Sequence, residues 1–398
     1  QFPFQGCEFL FILLKKSQLF QGKLITDGTH QTPTYSDSGY IFLSSTNVTT
    51  GKIDWNNVKY IPESLHRQLY SRLAPQKGDI LLAKNGTTGV AALVDRDCEF
   101  DIYVSLALLR PKRELILPEY MLYAINNKST KRKFDSQLKG IGVPNLHLKH
   151  IREVTIPLPP IDTQKSIVKI CNQILSLLEK QKIKAIEFGN LIKSIFYDMF
   201  GDPFENNNKM NFSDICLLNP KKSELTLANH EIVSFIPMQN VSENGEIDTS
   251  ETRSLRDVKN GFTYFRENDV LFAKITPCME NGKGAIARNL VNGIGFGSTE
   301  FHVLRPIEGI STSEWLYHLT TLPEFRKLAE SHMTGSAGQK RVPASFFNNL
   351  KISVPPLELQ QCFAEIVTKI EEQKALVKKA IEETQTLFDS LMSKYFDD

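Results

Sequence analysis

Two long segments of the chain carry apolar residues at alternating spacings of three and four, the pattern that places them on one face of a helix. In the first segment the predicted face holds positions 167, 170, 174, 177, 181, 184, 188, 191 and 195, with polar breaks at Gln181 and Lys184. The second segment repeats the pattern from Phe363 and is broken at Gln373. A helix of about 40 residues would reach roughly 60 Å. Because such a helix buries its stripe only against a partner, we predict an antiparallel coiled-coil spacer of two helices. The alternative is that each helix lies on its own domain.

Short apolar runs that precede each long segment predict β-strands. The first half contains GYIFLSS (39–45), DILLAK (79–84), GVAALVD (89–95) and YVSLALLRP (103–111). The spacing becomes helical over 117–134 and again over 313–330. Each half is therefore expected to fold as an α+β domain.

The phrase PLPPIDTQ (157–164) returns as VPPLELQ (354–360), and an offset of 196 residues holds from there to the end of the chain. Upstream, GDILLAK (78–84) matches NDVLFAK (268–274). Paired prolines end a strand because they remove amide donors, and Asp162 and Glu358 then favour a helix start. We interpret the chain as a tandem duplication with domains at 1–158 and 203–354 and spacer helices at 159–202 and 355–398.

The composition limits the class of protein but does not indicate its function. The chain has 398 residues, 41% hydrophobic and 23% charged, with a net charge of +2. Its six cysteines are dispersed, which favours a reducing compartment such as the cytoplasm. The apolar run FLFILL (9–14) is far shorter than the roughly 20 residues that span a bilayer.

Basic residues gather after the predicted helix of each half. Seven stand against Asp135 alone over 127–152, and five stand against two acidic residues over 323–351. Basic side chains beside Gly, Ser and Thr amides suit phosphate contacts, although a solvated helix end would have the same composition.

Catalytic patterns are missing. No methyltransferase Asn/Asp-Pro-Pro-aromatic box precedes the paired prolines, where Leu158 and Val354 stand, and no phosphate-binding loop occurs. His147 and His150 lack further metal ligands at a suitable spacing. His30 and Ser298 lack the partners of a catalytic triad. We predict no catalytic residues, no metal site and no cofactor bound by this chain.

The duplicated PP-x-x-x-Q helices, DGTHQTP (27–33), FIPMQNVSENGEID (235–248) and DVLFAKITPCMENGKGAIA (269–287) together resemble the specificity subunit of type I restriction-modification systems. The resemblance covers about 27–398, whereas residues 1–23 lack the polar strand start expected there. It implies two target-recognition domains that each read half of a split double-stranded DNA target. It also implies helices that dock two modification subunits, which are adenine methyltransferases, and restriction subunits that translocate and cut. S-adenosylmethionine, ATP and Mg are then expected on those partners, and no membrane is involved.

Candidate residues follow from the basic loops and the helical seams, although each loop residue is equally compatible with a turn or a solvated charge. The candidate DNA contacts are Thr29, His30, Ser44, Asn47, Lys84, Asn85, Lys139, Asn240, Lys274, Lys283, Gln339, Lys340 and Arg341. The candidate spacer and subunit-interface residues are Gln164, Ile167, Ile170, Ile174, Phe188, Leu191, Ile195, Gln360, Phe363, Ile366, Ile370, Leu387 and Leu391.

Two other functions stay open from the sequence. One is a self-contained DNA methyltransferase with a degenerate catalytic box, which would bind S-adenosylmethionine alone. The other is a coiled-coil scaffold that never touches DNA, which a DNA shift assay would distinguish.

Overall fold

A computed structural model describes residues 10–14, 19–20, 25–49, 51–138, 144–205, 209–336 and 338–397. The chain divides into two compact units, one formed by 1–181 with 380–398 and the other by 182–379. Two helices of 40 residues each, α5 (Ile161–Phe200) and α10 (Leu357–Phe396), contribute a segment to both units. Each unit therefore joins one globular part to portions of both long helices.

The first unit contains two sheets and a short strand pair. Its strands are β1 (Leu10–Leu13), β2 (Thr26–Asp27), β3 (Tyr40–Leu43), β4 (Lys59–Ile61), β5 (Ile80–Ala83), β6 (Ala91–Leu93), β7 (Phe100–Ile102), β8 (Leu106–Leu109) and β9 (Thr155–Leu158). Its short helices are α1 (Glu63–Arg72), α2 (Pro118–Asn126), α3 (Lys128–Ser136) and α4 (Leu148–Glu153). The antiparallel sheet has the order β2-β8-β5-β6, the second sheet is β4-β3-β7 with β3 and β7 parallel, and β1 pairs with β9.

The second unit repeats this plan. Its strands are β10 (Lys209–Asn211), β11 (Cys216–Leu218), β12 (Ile232–Ile236), β13 (Thr252–Ser254), β14 (Thr263–Arg266), β15 (Val270–Ala273), β16 (Gly284–Ile286), β17 (Ile294–Gly297), β18 (Phe301–Pro306) and β19 (Lys351–Ser353). Its short helices are α6 (Leu255–Val258), α7 (Ser313–Thr321), α8 (Pro323–Ser331) and α9 (Ala344–Asn349). The sheets have the orders β11-β18-β15-β16 and β13-β12-β17-β14, with β12 and β17 parallel, and β10 pairs with β19. The predicted α+β fold, present twice, is confirmed.

The central strand of each antiparallel sheet is buried on both faces. In β5, Ile80 and Leu82 face one hydrophobic core, while Leu81 and Ala83 face another. The equivalent strand β15, with the sequence VLFA, divides between two cores in the same way. A strand covered on both sides needs no polar alternation, which explains the continuous apolar runs at these positions.

The helical segments predicted at 117–134 and 313–330 are each split in two. The first breaks at Asn127, which is extended with ψ 147°. The second breaks at Leu322, which is extended with ψ 139° because Pro323 follows it and disfavours helical geometry in the residue before.

The repeated Gln of the PP-x-x-x-Q phrase is a buried structural residue. In the first unit the Gln164 Oε1 accepts a hydrogen bond from the Leu117 amide at 2.9 Å, where α2 begins. Its Nε2 donates to the carbonyl oxygens of Leu115 and Pro159. Gln360 makes the same three bonds to the equivalent residues Thr312, Ile310 and Pro355. Both residues are candidates for the spacer and subunit interface, and in the structure their side-chain amides are bonded inside the unit.

An ion pair between an arginine and a buried aspartate is also present in both units. Arg110 donates two hydrogen bonds to the carboxylate of Asp79, at 2.8 and 2.7 Å. Arg305 donates two to Asp269, at 2.7 and 2.8 Å. Paired charges with two parallel bonds fix the strand ends geometrically as well as electrostatically. The duplication therefore preserves an internal framework of polar contacts.

Within each unit the two long helices run antiparallel. In the first unit, Ile167 near the start of α5 shares a core with Tyr395 near the end of α10, and Gln181 donates to Thr384 Oγ1 at 3.3 Å. In the second unit, Phe196 near the end of α5 packs edge-on against Phe363 near the start of α10, with centroids 5.6 Å apart. The predicted antiparallel helix pair is confirmed.

The packed face predicted for α5 is correct at some positions and wrong at others. Ile167, Ile174, Phe188 and Ile195 lie on the packed face as predicted. However, Leu177 and Leu191 are 48% and 46% exposed, whereas their neighbours Leu178 and Ile192 are only 4% and 3% exposed. Lys184 is exposed, and the half-buried Ala185 takes its place. Ile170 is partly buried at the edge of the core, beside the fully buried Cys171.

The same correction applies to α10. Phe363, Ile370 and Leu391 are buried as predicted, and Ile366 is partly buried beside them. Leu387 is 48% exposed while Phe388 packs against the core, and Gln373 is exposed while Lys374 is half-buried. Where two apolar residues are adjacent, a pattern of three- and four-residue spacings does not show which of the two faces the core. Gln164 and Gln360, each three residues before the first seam residue, are also fully buried.

The start of the chain follows the duplication further than the sequence indicated. Strand β1 pairs with β9 as β10 pairs with β19, and the Leu14 amide donates to Val154 O as the Phe212 amide does to Leu350 O. Residues 10–13 therefore form the equivalent first strand of the first unit. Residues 1–9 lie outside the described part of the chain. Among the described residues, no helix is long and apolar enough to cross a membrane.

Candidate nucleic-acid interface

Three loops of the second unit meet beside the end of β15. The Lys274 amide donates to Glu300 O, and the Val342 amide donates to Lys274 O, both at 2.9 Å. The amide of Thr276 donates to Lys340 O at 3.0 Å. These main-chain bonds tie the β15–β16 loop (274–283) and the turn before β18 to the segment 338–342. The fold thus brings Lys274, Lys340 and their neighbours to one surface, which we call the second loop surface.

An ion pair organises this surface. Arg341 donates two hydrogen bonds to the carboxylate of Glu300, at 2.9 and 2.8 Å. The hydrogen bond from Arg341 holds the pKa of Glu300 below its usual range. Partial burial lowers the pKa of Lys274, and the nearby charge of Arg341 lowers it further against the opposing effect of Glu300. A half-buried ammonium that is incompletely solvated gains from an added anion, so Lys274 suits a phosphate contact.

His302 lies beneath the surface and fixes the segment that carries Arg341. Its Nε2 lies 2.8 Å from Val342 O, and its Nδ1 lies 3.1 Å from the side-chain nitrogen of Asn219. Burial lowers the pKa of His302 to about 4. The ring is therefore neutral at pH 7, with Nε2 donating to the carbonyl and Nδ1 accepting from the amide, as these partners require.

The other candidates of the second unit lie on or beside the same surface. Lys283 Nζ donates to Met238 O at 3.3 Å, which links the β15–β16 loop to the loop after β12. Asn240, on that loop, donates to Asp248 O at 3.4 Å and is half-buried. Gln339 is exposed, and its carbonyl oxygen accepts a hydrogen bond from Arg341. The residues predicted separately in the sequence are thus gathered in space.

The first unit keeps the framework but uses its lysine differently. The Lys84 amide donates to Ser105 O and Lys84 O accepts from the Leu146 amide, both at 2.8 Å, which matches the main-chain bonds of Lys274. The Lys84 side chain, however, is 7% exposed and pairs with Asp27 at 2.5 Å. Strand β11 of the second unit, Cys216–Leu218, carries no carboxylate at all. Lys84 is therefore withdrawn as a phosphate contact and is a buried structural cation.

Asn47 is also corrected. It is buried, and its side-chain nitrogen donates to the carbonyl oxygens of Asp54 and Asn57 while its oxygen accepts from the Ser44 amide. Its hydrogen-bonding capacity is used within its own loop. Ser44 caps the same turn and contacts the Thr46 hydroxyl at 2.7 Å.

The remaining first-unit candidates lie around β2 and the β5–β6 loop. Thr29 Oγ1 accepts from the Gln31 amide, while His30 is exposed with its Nε2 3.5 Å from Asp27. Asn85 is half-buried and bridges to Asn145 through the main chain. Lys139 lies outside the described residues.

Sequence reasoning missed the acidic partners. Asp27 and Glu300 decide which lysine and arginine side chains are available, yet both are distant in sequence from the groups they bind. The signal that was present is the offset alignment, since Ser105 of the first unit corresponds to Glu300 of the second. Through the described part of the chain, no three His, Cys, Asp or Glu side chains are placed to hold a metal ion.

Exposed apolar side chains lie on the long helices. Within the second unit these include Ile183 and Ile186 of α5 and Leu376 of α10, which are 49%, 67% and 61% exposed. Within the first unit they include Leu177 of α5 and Leu387 of α10. Exposed apolar residues mark a protein–protein contact when they form a contiguous patch, whereas single ones are normal on a protein surface.

Comparison with known proteins gives consistent matches. The family model described as "Type I restriction modification DNA specificity domain" matches residues 34–188 and 205–385. The chain is 32% identical over 258 residues to the EcoAI specificity subunit of Escherichia coli, covering 62% of this chain and 42% of that protein. It is 44% identical over 146 residues to the EcoEI specificity subunit of Escherichia coli, covering 36% of this chain and 24% of that protein. It thus spans less than half the length of these two relatives.

A third relative is matched along most of its length. The putative MjaX specificity subunit of Methanocaldococcus jannaschii is 21% identical over 369 residues, which cover 89% of this chain and 86% of that protein. Among solved structures, the S subunit from M. genitalium aligns with TM-score 0.54 at 13% identity, covering 100% and 98% of the two chains. A chain from a study of complex assembly in the type I R-M system aligns with TM-score 0.58 at 17% identity, covering 97% of each.

Proposed function

This chain belongs to the family of type I restriction-modification specificity subunits, and we propose that it directs methylation and restriction by reading a bipartite DNA target, one half with each domain. The proposed reading domains are 1–158 and 203–354, and the proposed docking elements are the helices at 159–202 and 355–398.

One observation carries the proposal: the two units share a buried framework but differ in the side chains of their loops. The Gln164 and Gln360 bonds and the two arginine–aspartate pairs are duplicated almost bond for bond. In contrast, Lys84 is buried against Asp27, whereas Lys274 lies half-buried beside the Arg341–Glu300 pair. A constant framework with divergent loops is what reading two different half-sites requires.

The chemistry of the second loop surface fits nucleic acid. Lysine and arginine side chains supply phosphate contacts, which hold a protein in register on the duplex, while exposed amide and charged groups can read base edges. For this role we retain Lys274, Lys283, Gln339, Lys340, Arg341 and Asn240 in the second domain, and Thr29, His30, Ser44, Asn85 and Lys139 in the first.

The long helices are the proposed docking site for two modification subunits. Exposed apolar residues such as Ile186 and Leu376 lie on helices whose other face is already packed. Burying them against a partner would contribute free energy in proportion to the apolar area removed from water. Methyl transfer and cleavage then belong to the partner subunits, with S-adenosylmethionine, ATP and Mg bound there.

The test is the methylated motif produced by this chain with its cognate modification subunit. DNA exposed to the complex is sequenced with detection of methylated bases. We expect two short specified blocks separated by a fixed run of unspecified base pairs. A continuous motif would contradict the proposal, as would methylation by the purified chain alone.

A further inference from the structure

The β15–β16 loop of the second domain is longer than its counterpart and is held rigidly. Ten residues separate β15 from β16, whereas seven separate β5 from β6. Thr276 donates to Lys340 O through both its amide and its hydroxyl, at 3.0 and 3.1 Å. Further along, the Met279 side chain is fully buried in the core of the unit. The loop is thus fixed at its start and at its middle.

A buried arginine fixes its far end. Arg326 of α8 is 8% exposed, and its three hydrogen bonds all go to main-chain carbonyl oxygens. Two of these carbonyls belong to the loop, Met279 O at 3.0 Å and Gly282 O at 3.2 Å, and the third is Thr320 O at 2.6 Å. The guanidinium also lies 4.5 Å from the Phe272 ring centroid.

The cost of this burial indicates what Arg326 does. Removing a guanidinium from water is expensive unless its donors are satisfied. Among the described residues, the hydrogen bonds of Arg326 go to carbonyl oxygens and not to an acidic side chain. A methionine or leucine would fill the same space in an apolar core at lower cost. The distinctive contribution of Arg326 is its fork of donors, which holds two carbonyls of one turn in a fixed geometry.

The loop tip between these anchors presents Glu280 and Asn281, both exposed. A carboxylate at this position is unexpected for phosphate binding, because Lys274, Lys283 and Lys340 mark the neighbouring surface as cationic. A carboxylate can instead accept a hydrogen bond from the cytosine amino group, and an asparagine amide can bind the paired donor and acceptor of adenine.

We propose that the β15–β16 loop is a base-reading element of the second domain, in which Glu280 and Asn281 contact base edges. Arg326 is the residue that positions them. The inference rests on the proposed function and adds the residues that determine one half-site. The negative charge of Glu280 also repels a DNA phosphate at the loop tip. It therefore favours a position of the protein on the DNA in which a base edge, and not a phosphate, faces the loop tip.

The experiment compares five variants, three tests and two controls, in complex with the modification subunit. Glu280→Gln and Asn281→Ala alter the tip, and Arg326→Lys keeps the charge but loses the fork geometry. Glu308→Gln, at an exposed turn elsewhere in the domain, is the matched control for the tip variants. Leu319→Ala, a fully buried change in α7, is the control for stability loss. Discrimination is measured at every position of both half-sites with DNAs carrying single substitutions.

We expect Glu280→Gln and Asn281→Ala each to reduce discrimination about 10-fold at one or two positions of a single half-site. Arg326→Lys should weaken discrimination at the same positions and speed amide hydrogen exchange in 279–283. Glu308→Gln and Leu319→Ala should leave the motif intact, even where Leu319→Ala lowers stability as much as Arg326→Lys. That difference separates positioning from general support of the core.

A wild-type motif that both tip variants leave unchanged would overturn the inference while leaving the proposed function in place. An Arg326→Lys effect matched by Leu319→Ala would overturn the positioning role. A wild-type complex with no sequence preference would instead remove the proposed function itself.

Discussion

The buried glutamine of the PP-x-x-x-Q phrase gives a prediction with a definite magnitude. Gln360→Leu keeps the approximate volume of the side chain but removes one acceptor and two donor bonds. It leaves the Thr312 amide and the carbonyl oxygens of Ile310 and Pro355 without these partners inside a closed site. Each lost hydrogen bond should cost about 1 kcal/mol, and a buried group left without a partner can cost more. The loss of three bonds should therefore lower the free energy of unfolding by about 3 kcal/mol.

The chain carries its own reporters for this measurement. Its two tryptophans lie in different units, Trp55 in the first and Trp315 in the second, where Trp315 is three residues after Thr312. In a Trp55→Phe background, urea unfolding followed by fluorescence reports on the second unit alone. Gln360→Leu should lower its midpoint, while Gln373→Leu, an exposed site on the same helix, should change it little.

The equivalent change in the first unit is the internal check. Gln164→Leu should destabilise the unit that Trp55 reports, by a similar amount, because its three bonds are the same. A loss below about 0.5 kcal/mol for both leucine variants would refute the view that these bonds hold the helix starts in place.

Three further predictions concern the seam, the lysines and pH. Ile370→Ala should cost about 2–4 kcal/mol, whereas Leu191→Ala should cost little, and thermal or urea unfolding of both variants tests the corrected phase. Lys84→Ala should destabilise the first unit, because it leaves the partly buried carboxylate of Asp27 without its partner. Lys274→Ala should keep stability and weaken DNA binding with a smaller salt dependence, and unfolding and binding titrations separate the two effects. The pKa of His302 is lowered in the folded state, so its contribution is complete above about pH 6.5. That contribution should be lost as pH falls towards about 4, by about 3 kcal/mol, in a pH series of unfolding curves, and His302→Gln should flatten the series.

The duplication was predictable because the two halves of the chain repeat similar residues in the same order. The offset of 196 residues aligns Gln164 with Gln360, and the structure places both in the same bonds. Helix existence and antiparallel pairing followed from a periodic pattern that only a partner could bury. Long amphipathic elements carry many residues of signal, so their type is robust.

The phase of the helices was not predictable from the apolar residues alone. Leu177 and Leu178 are consecutive, as are Leu191 and Ile192, so two seams fit the same sequence. The choice between them depends on tertiary contacts that the apolar pattern does not encode. The fully buried glutamine near each helix start is one polar residue that the pattern leaves out.

The second loop surface was partly predictable for a related reason. Lys274, Lys340 and Arg341 were selected because they are basic and lie in glycine-containing loops, and the fold brings those loops together. Lys84 and Asn47 were misassigned because their burial depends on partners brought in by the fold, such as Asp27 for the lysine. The sequence shows which residues are charged but not which of them form ion pairs in the folded protein.

The central claim is that each domain reads its own half of the target, and domain exchange tests it most directly. Residues 203–341 are replaced by the matching domain of a relative, and the methylated motif is determined with the same modification subunit. The account predicts that one half-site changes while the other half-site and the gap between them stay the same. A motif altered in both halves would contradict independent reading by two domains.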